Sequence, residues 1–205
     1  MKEIKLSCEV ITPLFMGGAN MEPEIRTQSI NGVIRWWFRT LGGSKEEEKK
    51  LFGWTGQESK KGAVKFVVYK EPYNSRDIQS CLDSSKNGLN YLAFSLKRQN
   101  RQCLYVGYKF DLRIIFSTIL EEKEKKKFLG ALWCAFYLGN FGSRARRCFG
   151  SIMVKEISGD FDNFISFVPK GDIKGWLKSN YEKIRGLFEK PKENNEKSKE
   201  NNIEI

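Results

Sequence analysis

Gly139-Asn140-Phe141-Gly142-Ser143-Arg144-Ala145-Arg146-Arg147-Cys148-Phe149-Gly150-Ser151 stands between two stretches of different periodicity. Before it, Phe128, Ala131, Leu132, Ala135, Phe136 and Gly139 recur at helical spacing behind a charged run that opens at Glu121. After it, Phe149 to Ile157 has the apolar and β-branched content of a strand. The string is therefore a helix-to-strand loop carrying three glycines, two serines and three arginines. Such a loop lets the backbone approach an anionic chain closely while guanidinium groups grip phosphates. It also suits a polar helix end whose arginines are favoured by the dipole.

Working outward, the chain begins with a strand from Ile4 to Ile11, where Ile4, Leu6, Cys8 and Val10 share one side. Thr12-Pro13 ends it, because proline cannot donate to a ladder. The paired glycines Gly17 and Gly18 follow in a loop. Ile30, Val33, Ile34, Trp37, Phe38 and Leu41 then form a helical stripe that stops at Gly42-Gly43. Arg35 and Arg39, with Asn31 one turn earlier, fall on another face of this helix. Lys45 to Lys50 reads as a charged loop or a continuation of the helix. Gly62 to Tyr69 reads as a strand and Pro72 to Asn90 as a loop or insertion. Tyr91 to Leu96 and Leu104 to Phe116 are further strand candidates, the second interrupted near Gly107.

Strand, helix, strands, helix, strand predicts an α+β chain with a ferredoxin-like (RRM-like) βαββαβ sandwich, an insertion between the middle strands and a short C-terminal helical extension. The domain is expected over residues 1–158. An extension with one amphipathic helix (Ile173, Trp176, Leu177, Ile184, Leu187, Phe188) occupies 159–189, and the polar tail 190–205 is expected to be disordered.

The 205 residues carry a formal net charge of +11. Two acid-free stretches, Arg26 to Lys45 and Lys125 to Lys155, together contain eleven cations, so the rest of the chain balances to zero. Local excess of this kind attracts polyanions, either nucleic acid or an acidic membrane, or else makes a solvated basic surface. The sequence holds no histidine. Ser-His and Cys-His nucleophile pairs, histidine-ligated metals and a histidine general base are thereby excluded. Five dispersed cysteines argue against a zinc knuckle or a disulfide framework. No apolar run approaches the roughly 20 residues of a membrane span, and the start lacks a signal-peptide core, so a cytoplasmic protein is expected.

The helix-to-strand loop, together with Thr12-Pro13-Leu14-Phe15-Met16-Gly17-Gly18-Ala19, Glu24-Ile25-Arg26, Ser29-Ile30-Asn31-Gly32-Val33-Ile34-Arg35-Trp36-Trp37-Phe38-Arg39 and Leu51-Phe52-Gly53, resembles the RAMP superfamily of CRISPR proteins. Within that superfamily it resembles the Cmr1-type subunits of type III-B (Cmr) effector complexes. The likeness runs from about Ile4 to about Val154, and its motifs occur in the family's order. It implies a ferredoxin-like fold, binding to CRISPR guide RNA and target RNA, assembly with other Cmr-complex RAMP subunits, and antiviral defence. It also implies a place near the guide's 3′ region, with cleavage left to neighbouring subunits. Family members carry a second ferredoxin-like domain, whereas about fifty residues follow Ile157 here.

The resulting expectation is a non-catalytic RNA-binding subunit; the alternative is a RAMP-type endoribonuclease that processes or cuts RNA. No cofactor, metal site or membrane partner is expected. Arg144, Arg146 and Arg147 lead the RNA-binding candidates, with Gly142, Ser143 and Gly150 acting through shape and backbone N–H donation. Gly17 and Gly18 are expected across the sheet from the arginine loop, or in a simple turn. Arg26, Arg35 and Arg39 complete the basic set, although Arg35 and Arg39 could instead pair with Glu22, Glu24 or Glu46 to Glu48. Trp36 is either a base-stacking platform or part of the core. Lys125 to Lys127 lie near the positive end of a helix dipole, where Glu121, Glu122 and Glu124 would compensate them.

Overall fold

The computed structural model describes residues 2–20, 22–56, 59–70, 72–74, 76–79, 87–160 and 163–189. Four strands, β1 (Lys2–Val10), β2 (Val64–Tyr69), β5 (Lys109–Phe116) and β6 (Ile152–Gly159), form one antiparallel sheet in the order β2-β5-β1-β6. Two helices, α1 (Thr27–Thr40) and α5 (Glu122–Tyr137), cover one face of it. This is the ferredoxin-like arrangement. Alternation fixes which side chains face the helices: Ile4, Leu6, Cys8 and Val10 of β1 are buried, as are Phe110, Leu112, Ile114 and Phe116 of β5. Register follows, with Leu6 opposite Leu112 and Ile157.

The opposite face of the sheet is a lattice of charge pairs. Lys5 meets Asp111 at 2.7 Å, Arg113 meets Glu3 at 2.5 Å and Lys155 meets Glu9 at 3.5 Å. Arg113 also donates to the Tyr69 hydroxyl at 2.7 Å.

α1 buries Ile30, Ile34 and Phe38, three members of the predicted stripe. α5 is buried on nearly every side because it sits between the sheet, α1 and a last helix, α6 (Ile173–Phe188). Ile184 of α6 packs over Gly130, where a Cβ would lie 3.0 Å away. Trp176 meets Trp133 at 5.4 Å between ring centroids, and Phe188 meets Phe38 at 5.6 Å. The C-terminal segment therefore joins the hydrophobic core through the helical layer.

Three local expectations are corrected. Lys45 to Lys50 belongs to a separate helix, α2 (Lys45–Phe52), with its own capping box between Ser44 and Glu47. Tyr91 to Leu96 is helical: it spans the ends of α3 (Asn87–Leu92) and α4 (Phe94–Arg98). The insertion between β2 and β5 also contains two short paired strands, β3 (Ile78–Gln79) and β4 (Cys103–Leu104). β4 and β5 are separated at Gly107, which lies at φ +91. Cys8, Cys134 and Cys148 are free, but Cys103 is disulfide-bonded. The tail 190–205 lies outside the described residues.

Candidate nucleic-acid interface

One end of the sheet gathers the chain segments that carry the motifs. The residues after β1 are stitched to the helix-to-strand loop by backbone bonds: Ser143 N–H donates to Phe15 O at 2.8 Å and Gly150 N–H to Pro13 O at 3.0 Å. Ser151 N–H donates to Thr12 Oγ1 at 2.9 Å. Leu14 and Leu104 exchange both backbone bonds, which joins the insertion to the same unit. Phe15 and Phe149 pack edge to face at 5.5 Å above Ala93, Leu96 and Cys103 of the insertion.

Two glycines make this stitching possible. Gly142 (φ +79) and Gly150 (φ +75) occupy left-handed backbone, and a Cβ on either would fall 2.5 Å from Phe15 O or 1.8 Å from Phe141 O. Gly17 and Gly18 do not share this conformation among the positive-φ residues. They line the same cavity as Gly142 and Ser143.

The loop itself turns through a single 3-10 turn, Ala145–Arg147, flanked by left-handed Arg144 (φ +60) and Cys148 (φ +65). Strain of this sort in residues other than glycine is held by the surrounding packing. Asn140 steadies the turn by donating from Nδ2 to Ala145 O at 2.9 Å. Arg144 donates to Ser95 Oγ on α4. Arg146 and Arg147 are exposed, and no ion pair engages them among the described residues.

Beside the loop lie two open cavities. The outer, of about 730 Å³, is bounded by Trp36, Trp37, Leu138, Gly139, Asn140 and Arg146. The inner, of about 500 Å³, is bounded by Gly17, Gly18, Arg101, Gly142 and Ser143. Ser29 and Val33 of α1 line both, so the cavities form one groove. Among the described residues no carboxylate lines either part, and Glu24 is the acid beside the inner wall, its Oε1 2.8 Å from where a Cβ on Gly18 would stand. Trp36 is 56% exposed and stands edge to face on Trp37 at 5.1 Å, which settles its position against the core.

Thus Gly17, Gly18, Trp36, Gly142, Ser143 and Arg146 line the groove, with Arg144 and Arg147 beside it. The other candidates are elsewhere. Arg26 donates to Gly17 O at 3.1 Å and pairs with Glu24 at 3.2 Å, bracing the first loop. Arg35 and Arg39 both hold Glu48 of α2, the latter at 2.6 and 2.8 Å. Hydrogen bonds from Arg39 first, and then Arg35, pull the largely buried Glu48 carboxyl down to about 2. The N–H groups of Ser143 and Gly150 are already engaged, and Gly150 is buried beneath the loop, so backbone donation to a ligand is corrected for these two.

The lysines opening α5 are likewise occupied within the fold. Lys125 meets Asp160 at 2.9 Å and Lys127 meets Glu47 at 2.6 Å. Glu121 and Glu124 form a capping box that offsets the positive helix end. Sequence reasoning passed over Arg101, Ser29 and Cys148. Arg101 is the informative omission, since the run Lys97-Arg98-Gln99-Asn100-Arg101 carries the signal of a basic turn in the insertion.

Similarity to known proteins shows the family. Residues 7–153 match the RAMP superfamily. The chain is 34% identical over 182 residues to the CRISPR system Cmr subunit Cmr1-2 of Pyrococcus furiosus, covering 76% of this chain and 96% of that one. It is 31% identical over 150 residues to Cmr1-1 of the same organism, covering 67% of this chain but 43% of the relative. A crystal structure of apo Cmr1 from Pyrococcus furiosus superposes with a TM-score of 0.68 at 25% identity, over 91% of this chain and 60% of that chain. A chain from the type III-B Cmr-β complex bound to cognate target RNA shares the fold, with a TM-score of 0.58 at 18% identity, over 93% and 63%. The chain belongs to the RAMP superfamily and, within it, to the Cmr1-type proteins.

Proposed function

We propose that this RAMP-superfamily chain is a non-catalytic, RNA-binding subunit of a type III-B CRISPR (Cmr) effector complex, meeting guide or target RNA in the groove between α1 and the glycine-arginine loop. The observation that carries the reading is the continuous groove: exposed Arg146 and an exposed tryptophan face share it, and no carboxylate is among the described residues that line it. Arg146 and Arg147 neutralise phosphates, and Trp36 offers a face to an unpaired base. Both modes are tolerant of sequence, so base preference is weak.

The opposite sheet face supports the same placement by contrast. RRM-like domains read RNA by stacking bases on sheet aromatics. Here that face carries the Lys5–Asp111, Arg113–Glu3 and Lys155–Glu9 pairs, the first two lining an open cavity of about 400 Å³ together with Tyr69. The ligand site moves to the end of the sheet.

The non-catalytic assignment rests on chemistry. The sequence offers no imidazole, and no carboxylate that could accept a proton or hold a metal beside a phosphate is among the described residues lining the groove, the nearby Glu24 being paired with Arg26. Family membership and the Cmr1 relatives support the complex. The neighbouring Cmr-β structures carry cognate target RNA, which supports the ligand class.

The test is fluorescence anisotropy of the purified chain with labelled single-stranded RNA across several salt concentrations, with the RNA run on a gel afterwards. With about five phosphate contacts, log K should fall against log salt with a slope near about −3.5, at roughly 0.7 per contact, and the RNA should stay intact. Arg146→Ala with Arg147→Ala should flatten the slope by about 1.4. RNA cut by a contamination-free preparation would instead establish the endoribonuclease.

A further inference from the structure

We propose that α4 of the insertion, through Phe94 and Arg98, is a second platform for single-stranded RNA, which takes up the strand beyond the inner cavity. The proposal rests on the RNA-binding reading and extends it to a segment outside α1 and the glycine-arginine loop.

The insertion combines cations and aromatic rings without an acid. From Ser84 to Phe110 the sequence holds five cations, Lys86, Lys97, Arg98, Arg101 and Lys109, and no Asp or Glu. Two of its rings stand in solvent. Tyr91, in α3, is 76% exposed and Phe94, which opens α4, is 64% exposed, both more than Trp36. Among the described residues no other ring and no cation packs on either of them. Phe94 and Arg98 are four apart in α4 and so share one face of its turn. Arg98 is exposed, and among the described residues no carboxylate pairs with it.

This face is fixed to the groove. Ala93 and Leu96, on the other side of the turn, pack with Phe15 and Phe149, the ring pair of the stitched loops. Arg144 of the glycine-arginine loop donates to the hydroxyl of Ser95, the residue after Phe94. The Arg101 N–H returns to Leu96 O at 3.0 Å, which brings the chain after α4 back to the inner cavity that Arg101 lines with Gly142 and Ser143. A strand that passes Trp36 and continues through the inner cavity therefore meets α4 next.

The chemistry of the face selects the ligand. A cationic segment free of acids attracts a polyanion, and an exposed ring attracts a flat apolar surface. Single-stranded RNA carries both on one chain, alternating phosphate and unstacked base as Arg98 and Phe94 alternate on one turn.

The experiment titrates the full-length chain, as wild type and as Phe94→Leu, Phe94→Tyr and Arg98→Gln, with a 5′-fluorescein-labelled oligouridine of about 12 nucleotides at several KCl concentrations, read by anisotropy. Phe94→Leu, which keeps an apolar side chain but no ring, should weaken binding about fivefold or more and leave the salt slope unchanged. Phe94→Tyr, which keeps the ring, should bind like wild type. Arg98→Gln should weaken binding and flatten the slope by about 0.7. Both side chains are exposed, so all three variants should melt with wild type. Wild-type affinity in Phe94→Leu would overturn the platform and leave the exposed ring to a protein partner. A wild-type slope in Arg98→Gln, or a loss in Phe94→Tyr equal to that in Phe94→Leu, would also overturn it. In each of those cases the groove reading stands if Arg146→Ala with Arg147→Ala still weakens binding. A wild-type chain that binds no RNA at low salt overturns both.

Discussion

The Ser143 backbone N–H donates to the carbonyl of Phe15 at 2.8 Å, so the loop after α5 and the loop after β1 form a single unit at the end of the sheet. Two motifs separated by more than a hundred residues of sequence are thereby held in one groove wall. The unit depends on backbone approach that only glycine allows, and that dependence is measurable.

Gly150→Ala places a methyl 1.8 Å from Phe141 O in a residue at φ +75. We expect a loss of about 2–4 kcal/mol of stability, from left-handed backbone plus forced displacement of the loop. Gly186→Ala in α6, where a Cβ meets nothing within 4 Å, should instead stabilise by about 0.5–1 kcal/mol. Urea unfolding of the two variants checks both signs.

The Glu48 pairing with Arg39 and Arg35 ties α2 to α1 and should appear in the acid limb of stability. The carboxyl is held at about 2 against an ordinary 4.5, so its ionisation contributes stability that is present above about pH 4.5 and lost as pH falls toward about 2. Glu48→Gln should cost about 1–3 kcal/mol at neutral pH, a figure kept modest because Arg39 is more than half exposed. The difference from wild type should shrink through that acid window, read by urea midpoints at successive pH values.

Trp36→Ala should separate stacking from charge. Loss of one base stack costs about 1–3 kcal/mol of RNA affinity and leaves the salt slope unchanged, because no phosphate contact is removed. The exposed position predicts little change in melting temperature.

The sheet and its two helices were legible because alternation in β1 and the 3.6-residue stripe of α1 each bury one face. Ile30, Ile34 and Phe38 occupy the buried positions that spacing assigned them. The insertion itself was legible but its internal structure was not: Tyr91 to Leu96 has strand-like composition, yet its fully buried residues are Ala93 and Leu96, a three-residue spacing that belongs to a helix.

The groove was half legible. Glycines and arginines in one string identified the loop, but counting charge by segment misplaced the field. Arg35, Arg39, Lys125, Lys127 and Lys155 all meet carboxylates contributed by distant parts of the chain. Linear sequence does not show such pairing.

The central claim is that RNA lies in the groove and not on the open sheet face. Photo-crosslinking of the full-length chain to 4-thiouridine-substituted single-stranded RNA, followed by mass spectrometry of the adducts, tests it most directly. The account predicts adducts on Trp36, Trp37 and the loop between Gly139 and Cys148. Adducts confined to the Glu3, Tyr69 and Arg113 face, with none in the groove, would contradict it.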